Sequence, residues 1–116
     1  MGYSQGAQVV GDTISGGQLS ATAAANIVAI IQTGDPTFVK SKSYDVGTST
    51  TNGIFARAST SALDAIASKI QSYCDSGDPF CASGFDLAVH LGYTAKYGTQ
   101  AANFVVGKYQ AAAKRA

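Results

Sequence analysis

Glutamate is absent from this chain: all seven acidic residues are aspartate. A glycosidase built on it would depend on two Asp carboxylates alone. Charge is scarce, at 13% of residues, and balanced, with eight Lys and Arg against seven acids. The basic residues are scattered, only Lys114 and Arg115 being adjacent, so there is no electrostatic footprint for nucleic acid. Long hydrophobic runs are also missing. The most apolar stretch, Ile27 to Ile31, is strand length, whereas a membrane span needs about 20 residues, which argues against a membrane role. Cysteine is limited to Cys74 and Cys81. Their spacing is not C-x-x-C, which argues against a redox centre. Together with His90, the single histidine, they could supply three zinc ligands at most. No phosphate-binding glycine loop, HExxH, EF-hand motif or Asn-x-Ser/Thr sequon occurs.

What is present fits one domain. A length of 116 residues is too short for two, and 46% hydrophobic content is too high for a disordered chain. A chain of this size removes roughly two-thirds of its unfolded surface from water. The even cysteine pair fits one local disulfide and an oxidising compartment. Two reduced cysteines in a cytosolic protein fit the spacing equally well. The opening Met1-Gly2-Tyr3-Ser4-Gln5-Gly6 leaves no room for a secretory signal. No internal repeat, low-complexity tract or interdomain linker is visible.

Helix and strand signals alternate. Gln5 to Ile14 carries Val9, Val10 and Ile14 and predicts a short helix, and the Ala-rich segment Ser20 to Asn26 predicts another. Ile27 to Gln32 predicts a strand buried on both faces, as in a parallel sheet, ended by Gly34-Asp35-Pro36. Ser68 to Cys74 predicts a second strand after a helical turn near Ser61 to Ala67. Tyr93, Tyr97, Ala101, Phe104 and Val105 predict a long amphipathic helix over Tyr93 to Ala113, with Lys114 and Arg115 suited to its negative end. Gly and Ser cluster at Ser15 to Ser20 and Gly47 to Gly53, which read as loops. Two strands and about three helices make a thin α/β domain, so the pattern reads as part of an α/β fold.

Three features could carry chemistry. Gly2-Tyr3-Ser4-Gln5-Gly6 is a G-x-S-x-G pattern followed by a helix signal. That chemistry needs a Ser on a sharp strand-to-helix turn, with small neighbours and backbone N–H groups aimed at an oxyanion. The strand expected before Ser4 has no room at the start of the chain. His90, expected in a loop before the long helix, is the only imidazole that could act as base for Ser4. All seven aspartates compete to orient that imidazole. Asp78 stands out because it lies between Cys74 and Cys81, where a disulfide would stiffen its loop. The order Ser4, Asp78, His90 is that of α/β-hydrolases. A small α/β binding module would instead keep these three residues apart.

Several blocks then form a series: Gly2-Tyr3-Ser4-Gln5-Gly6-Ala7, Gly34-Asp35-Pro36, Tyr44-Asp45-Val46-Gly47-Thr48, Ala56-Arg57, the run from Ser72 to Cys81, and His90-Leu91-Gly92-Tyr93 with Tyr97-Gly98. Together they resemble the C-terminal part of the cutinase and acetylxylan esterase family of fungal secreted serine esterases. The blocks Tyr44 to Thr48 and Ala56-Arg57 resemble the acetylxylan esterase branch. The resemblance implies an incomplete cutinase-type α/β-hydrolase fold over residues 1–116, a parallel sheet flanked by helices and lacking the N-terminal strands. It implies Ser4 as nucleophile, Asp78 as triad acid, His90 as general base, the N–H of Gln5 as one oxyanion donor, and a Cys74–Cys81 disulfide. It implies hydrolysis of acetylated polysaccharide or cutin-like polyester through an acyl-enzyme, no metal or cofactor, secretion, and a monomer when complete. Ser49 stands where acetylxylan esterases tend to carry a cysteine. The family's N-terminal half, with a second oxyanion donor, has no counterpart here, and Met1 takes the place of an apolar strand residue. The expectations that follow are a displaced gene start and a chain prone to aggregate. The alternative is a catalytically inactive or partner-binding remnant of such an esterase.

Overall fold

The computed structural model describes residues 1–115, among which four short strands form one sheet with every neighbouring pair parallel. They are β1 (Gly2–Tyr3), β2 (Ile30–Thr33), β3 (Asp45–Val46) and β4 (Ile70–Tyr73), in the spatial order β1-β2-β4-β3. β2 and β4 pair from Ile30↔Ile70 to Thr33↔Tyr73 and form the centre. All four residues of β2 are buried, as a central strand of a parallel sheet covered on both faces requires.

Alternation along the strands sends neighbouring residues to opposite faces. Ile30 and Ile70 join Tyr44 and Leu63 on one face, under Val10 and Ile14 of helix α1 (Gln5–Ser15). Ile31 and Tyr73 join Phe38 and the two cysteines on the other face, under Tyr97, Ala101 and Phe104 of helix α5 (Tyr93–Arg115). Between these long helices come α2 (Ala21–Ala25), capped by Ser20 Oγ accepting the Ala23 N–H at 3.1 Å, and the short α3 (Ser61–Asp64). A 3-10 turn at Ala67–Lys69 leads into β4. Helix α4 (Leu87–His90) is capped by the Asp86 carboxylate, which accepts the Ala88 N–H at 3.1 Å.

Four expectations need correction. The strand expected over Ile27 to Gln32 begins only at Ile30, because its partner β4 begins at Ile70, after the 3-10 turn, and a ladder extends no further than both strands do. Two further strands exist. β1 is the strand that the start of the chain was expected to lack, and β3 pairs Asp45 with Ser72. His90 lies not in a loop but at the last position of α4, where the Asp86 cap closes a single turn. Helix α5 runs on to Arg115, so Lys114 and Arg115 stand in its last turn rather than beyond it.

Candidate active site

Ser4 sits between β1 and α1 with φ 57° and ψ −121°. A non-glycine residue in this region stores roughly 1–3 kcal/mol of strain, which the surroundings must hold. They do so from both sides: the Ser4 N–H donates to Thr33 O at 2.8 Å, extending the β1–β2 ladder, and Ser4 O accepts the Gln8 N–H at 3.2 Å. Gly2 makes the tight turn possible. A Cβ there would run into the Gly6 carbonyl and sit 2.7 Å from Ala7 N, so only glycine lets strand and helix approach this closely. Gly6 is different: a Cβ there would meet open space. Gln5 is the first residue of α1, where a helix amide has no carbonyl partner of its own.

The histidine of the site comes from the end of α4. His90 Nε2 lies 3.0 Å from Ser4 Oγ, and His90 Nδ1 lies 2.8 Å from Asp78 Oδ2. The Asp78 carboxylate is an acceptor, so Nδ1 carries the proton and Nε2 is left to accept the Ser4 hydroxyl proton. The imidazole is 4% exposed, with the Phe80 ring centroid 4.6 Å away and the Tyr3 centroid 5.0 Å away. The Tyr3 hydroxyl also donates to His90 O at 2.8 Å, tying β1 to the end of α4.

Asp78 is fully buried and every lone pair facing the protein is used. Oδ1 accepts the N–H groups of Phe80 (2.7 Å) and Cys81 (3.1 Å), while Oδ2 accepts Tyr93 Oη–H (2.7 Å) and His90 Nδ1–H. Cys74 and Cys81 are joined in a disulfide, which settles the alternatives that spacing left open and closes the loop carrying Asp78. Burial, joined by the hydrogen bond to Asp78 and that carboxylate's charge, holds the Tyr93 phenol well above its ordinary range. Burial and the same charge also raise Tyr3.

Sequence reasoning missed three supports. Gly34 was legible only as the end of a strand. It adopts φ 63°, and a Cβ there would lie 2.8 Å from His90 Cε1. Tyr93 was visible as a helix-face residue and Phe80 as a loop residue. Only the fold brings both to the imidazole. The blocks that pointed to the acetylxylan branch turn out to brace the scaffold. The Tyr44 hydroxyl donates to Asp64 at 3.1 Å, and Thr48 donates through N–H and hydroxyl to Asp75. Arg57 bridges Thr37 (2.7 Å) and Asp12 (2.7 Å) between α1 and the loop after β2. Asp75 is pulled in two directions. Burial would raise it, but hydrogen bonds from Lys96, Tyr97 and Thr48 hold it below the usual carboxylate range.

A parallel sheet flanked by helices, with a serine on a strained strand-to-helix turn linked through one histidine to a buried aspartate, defines an α/β-hydrolase-type arrangement. The comparisons narrow this further: the chain belongs to the cutinase family, whose model, described as Cutinase, matches residues 1–109. It is 41% identical over 117 residues to an acetylxylan esterase of Hypocrea jecorina, covering 90% of this chain and 38% of that protein. It is 38% identical over 120 residues to acetylxylan esterase 2 of Talaromyces purpureogenus, covering 93% of this chain and 51% of the relative. Among solved structures, the catalytic core domain of acetyl xylan esterase from Trichoderma reesei superposes with a TM-score of 0.85 at 39% identity, covering 93% of this chain and 58% of that one. The chain thus spans about half or less of the length of these curated relatives, at 38% and 51%.

Proposed function

We propose that the protein is a serine carboxylic ester hydrolase that works through an acyl-enzyme on Ser4. The observation that carries this reading is the continuous hydrogen-bonded path from Ser4 Oγ through His90 to Asp78, with links of 3.0 and 2.8 Å. In this mechanism Ser4 Oγ attacks the ester carbonyl carbon while His90 Nε2 takes its proton. Asp78 keeps Nδ1 protonated and balances the imidazolium that forms. The Gln5 N–H is one donor to the tetrahedral oxyanion. His90 then protonates the departing alcohol. Water attacks the acyl-Ser4 carbonyl, giving its proton to His90; the bond from the acyl carbon to Ser4 Oγ then breaks, Oγ takes that proton back from His90, and the carboxylic acid leaves.

Acetyl groups on xylan are the preferred substrate of this reading, and cutin-like polyesters the other. Two relatives and a solved neighbour named as acetylxylan esterases support the first, and the family's description supports the second. A secreted, oxidising setting goes with it, supported by the Cys74–Cys81 disulfide.

The test is intact-mass labelling with a serine-directed fluorophosphonate. One adduct per chain on Ser4, absent from Ser4→Ala, is the expected result. Release of p-nitrophenol from acetyl and longer-chain esters then separates the two substrate classes. A folded chain that takes no adduct would overturn the enzyme reading and favour a non-catalytic binding role.

A further inference from the structure

One strong donor in the site has no part in the mechanism above. Tyr93, the first residue of α5, is 3% exposed, and its hydroxyl meets three atoms of the loop closed by Cys74 and Cys81. It lies 2.7 Å from Asp78 Oδ2, 3.0 Å from Asp75 N and 3.1 Å from Cys81 Sγ. The directions of these contacts are determined by chemistry. The Asp75 amide can only donate, so the phenol oxygen accepts there. The sulfur is in a disulfide and has no proton. The phenol O–H therefore goes to Asp78, on the same oxygen that His90 Nδ1 uses. The tyrosine ring also stands edge-on to the imidazole, with the two centroids 6.4 Å apart.

We propose that Tyr93 is a positioning residue of the site: its hydroxyl aims Asp78 Oδ2 at His90 and draws off part of the negative charge that this oxygen presents to the imidazole. The catalytic consequence rests on the esterase reading, whereas the effect on His90 does not. Without the phenol, the buried carboxylate loses one of four donors and attracts the imidazolium more strongly. The ionisable groups around the ring are Asp78 from the disulfide loop, Tyr3 from β1 and Tyr93 from α5. Asp75, with Lys96 and Tyr97 of α5 bonded to it, stands one contact further out.

His90 is the only histidine, so its ring resonances can be followed without ambiguity in an NMR pH titration of the full chain. Tyr93→Phe is expected to move their midpoint up by about half a pH unit to one unit, the scale of one charge-assisted hydrogen bond shared between two partners. The acid limb of the fluorophosphonate labelling rate should move with it, and kcat for p-nitrophenyl acetate should fall severalfold with KM little changed. A hydroxyl that only ties the disulfide loop to α5 would, on its loss, lower the melting temperature and leave the midpoint in place. A folded Tyr93→Phe chain with an unmoved or lowered midpoint overturns the proposal. Should that variant fail to fold, 3-fluorotyrosine at position 93 keeps the ring and strengthens the donor. The midpoint should then fall, and an unmoved one overturns the proposal equally. The two readings fail separately. A shifted midpoint with no adduct on wild-type Ser4 retires the esterase and keeps the positioning role. An adduct with no shift does the reverse.

Discussion

At Gly34 the backbone turns with φ 63°, and the space where a side chain would begin is filled by His90 Cε1 at 2.8 Å and Nδ1 at 2.9 Å. A methyl group there carries two costs. The left-handed conformation disfavours any Cβ by about 1–2 kcal/mol. The ring cannot yield cheaply, because moving it breaks its bond to Asp78 or its bond to Ser4. We therefore expect Gly34→Ala to fold with a lower melting temperature and to label with fluorophosphonate about a hundredfold more slowly, the scale of a 1 Å misplacement of a catalytic group. Labelling at the wild-type rate would show that the imidazole has room to give. The sequence singled out Ser4 by its G-x-S-x-G setting and His90 for want of any competitor, and preferred Asp78 among seven aspartates only for its place between the cysteines. Gly34 was not legible in this way, because a glycine required by a distant side chain looks the same as one required by a turn.

Among elements, the loop closed by Cys74 and Cys81 does the most for the site. It joins the end of β4 to the segment before α4, and its backbone supplies both amides that hold Asp78 Oδ1. In a chain-entropy account, closing a loop of sequence separation 7 stabilises the fold by about 2–3 kcal/mol. Replacing both cysteines with serine should lower stability by that amount. It should also slow Ser4 labelling in the remaining folded population, since Asp78 loses the frame that points it. Unchanged labelling in a folded double variant, followed by circular dichroism and mass, would mean that the amide bonds suffice. The longer elements were legible in the sequence. α1 and α5 carry apolar residues at helical spacing, and β2 opens on the β-branched pair Ile30-Ile31. β1 and β3 were not, because two residues hold no period and become strands only by pairing with β2 and β4.

Whole-molecule stability should depend on pH through carboxylates shifted in opposite senses, upward where burial dominates and downward where hydrogen bonds outweigh it. Burial raises Asp45 to about 6, against hydrogen bonding and attraction from Lys42 that pull it down. Its Oδ1 is buried without a partner among the described residues, and Oδ2 accepts the Lys42 N–H at 3.0 Å. Because the folded value lies above the unfolded one, its stabilising contribution is complete below the ordinary Asp range near 4 and is lost as pH rises through about 6. Asp35, also raised chiefly by burial, acts in the same sense. Asp75, held low, acts oppositely: its contribution is present above the ordinary range and lost as pH falls through its folded value. Asp45→Asn removes the ionisation and keeps the shape. Its melting temperature relative to wild type should therefore climb between pH 4 and pH 8. A difference that stays flat over that range would mean that Asp45 is not the buried charge described.

The sequence by itself determined the residue types available for chemistry, the order in which they occur and the long elements, because each of these is written in identities or in periods of a few residues. Only the tertiary structure decided that Ser4 and His90, 86 positions apart, meet at 3.0 Å. It also decided that the cysteines are bonded, that two dipeptides are strands, and that Tyr93 and Gly34 frame the imidazole. The physical reason is range. Local patterning records which face of an element is buried, whereas a polar site is assembled by the packing of separate elements, and no single stretch of chain carries that distance.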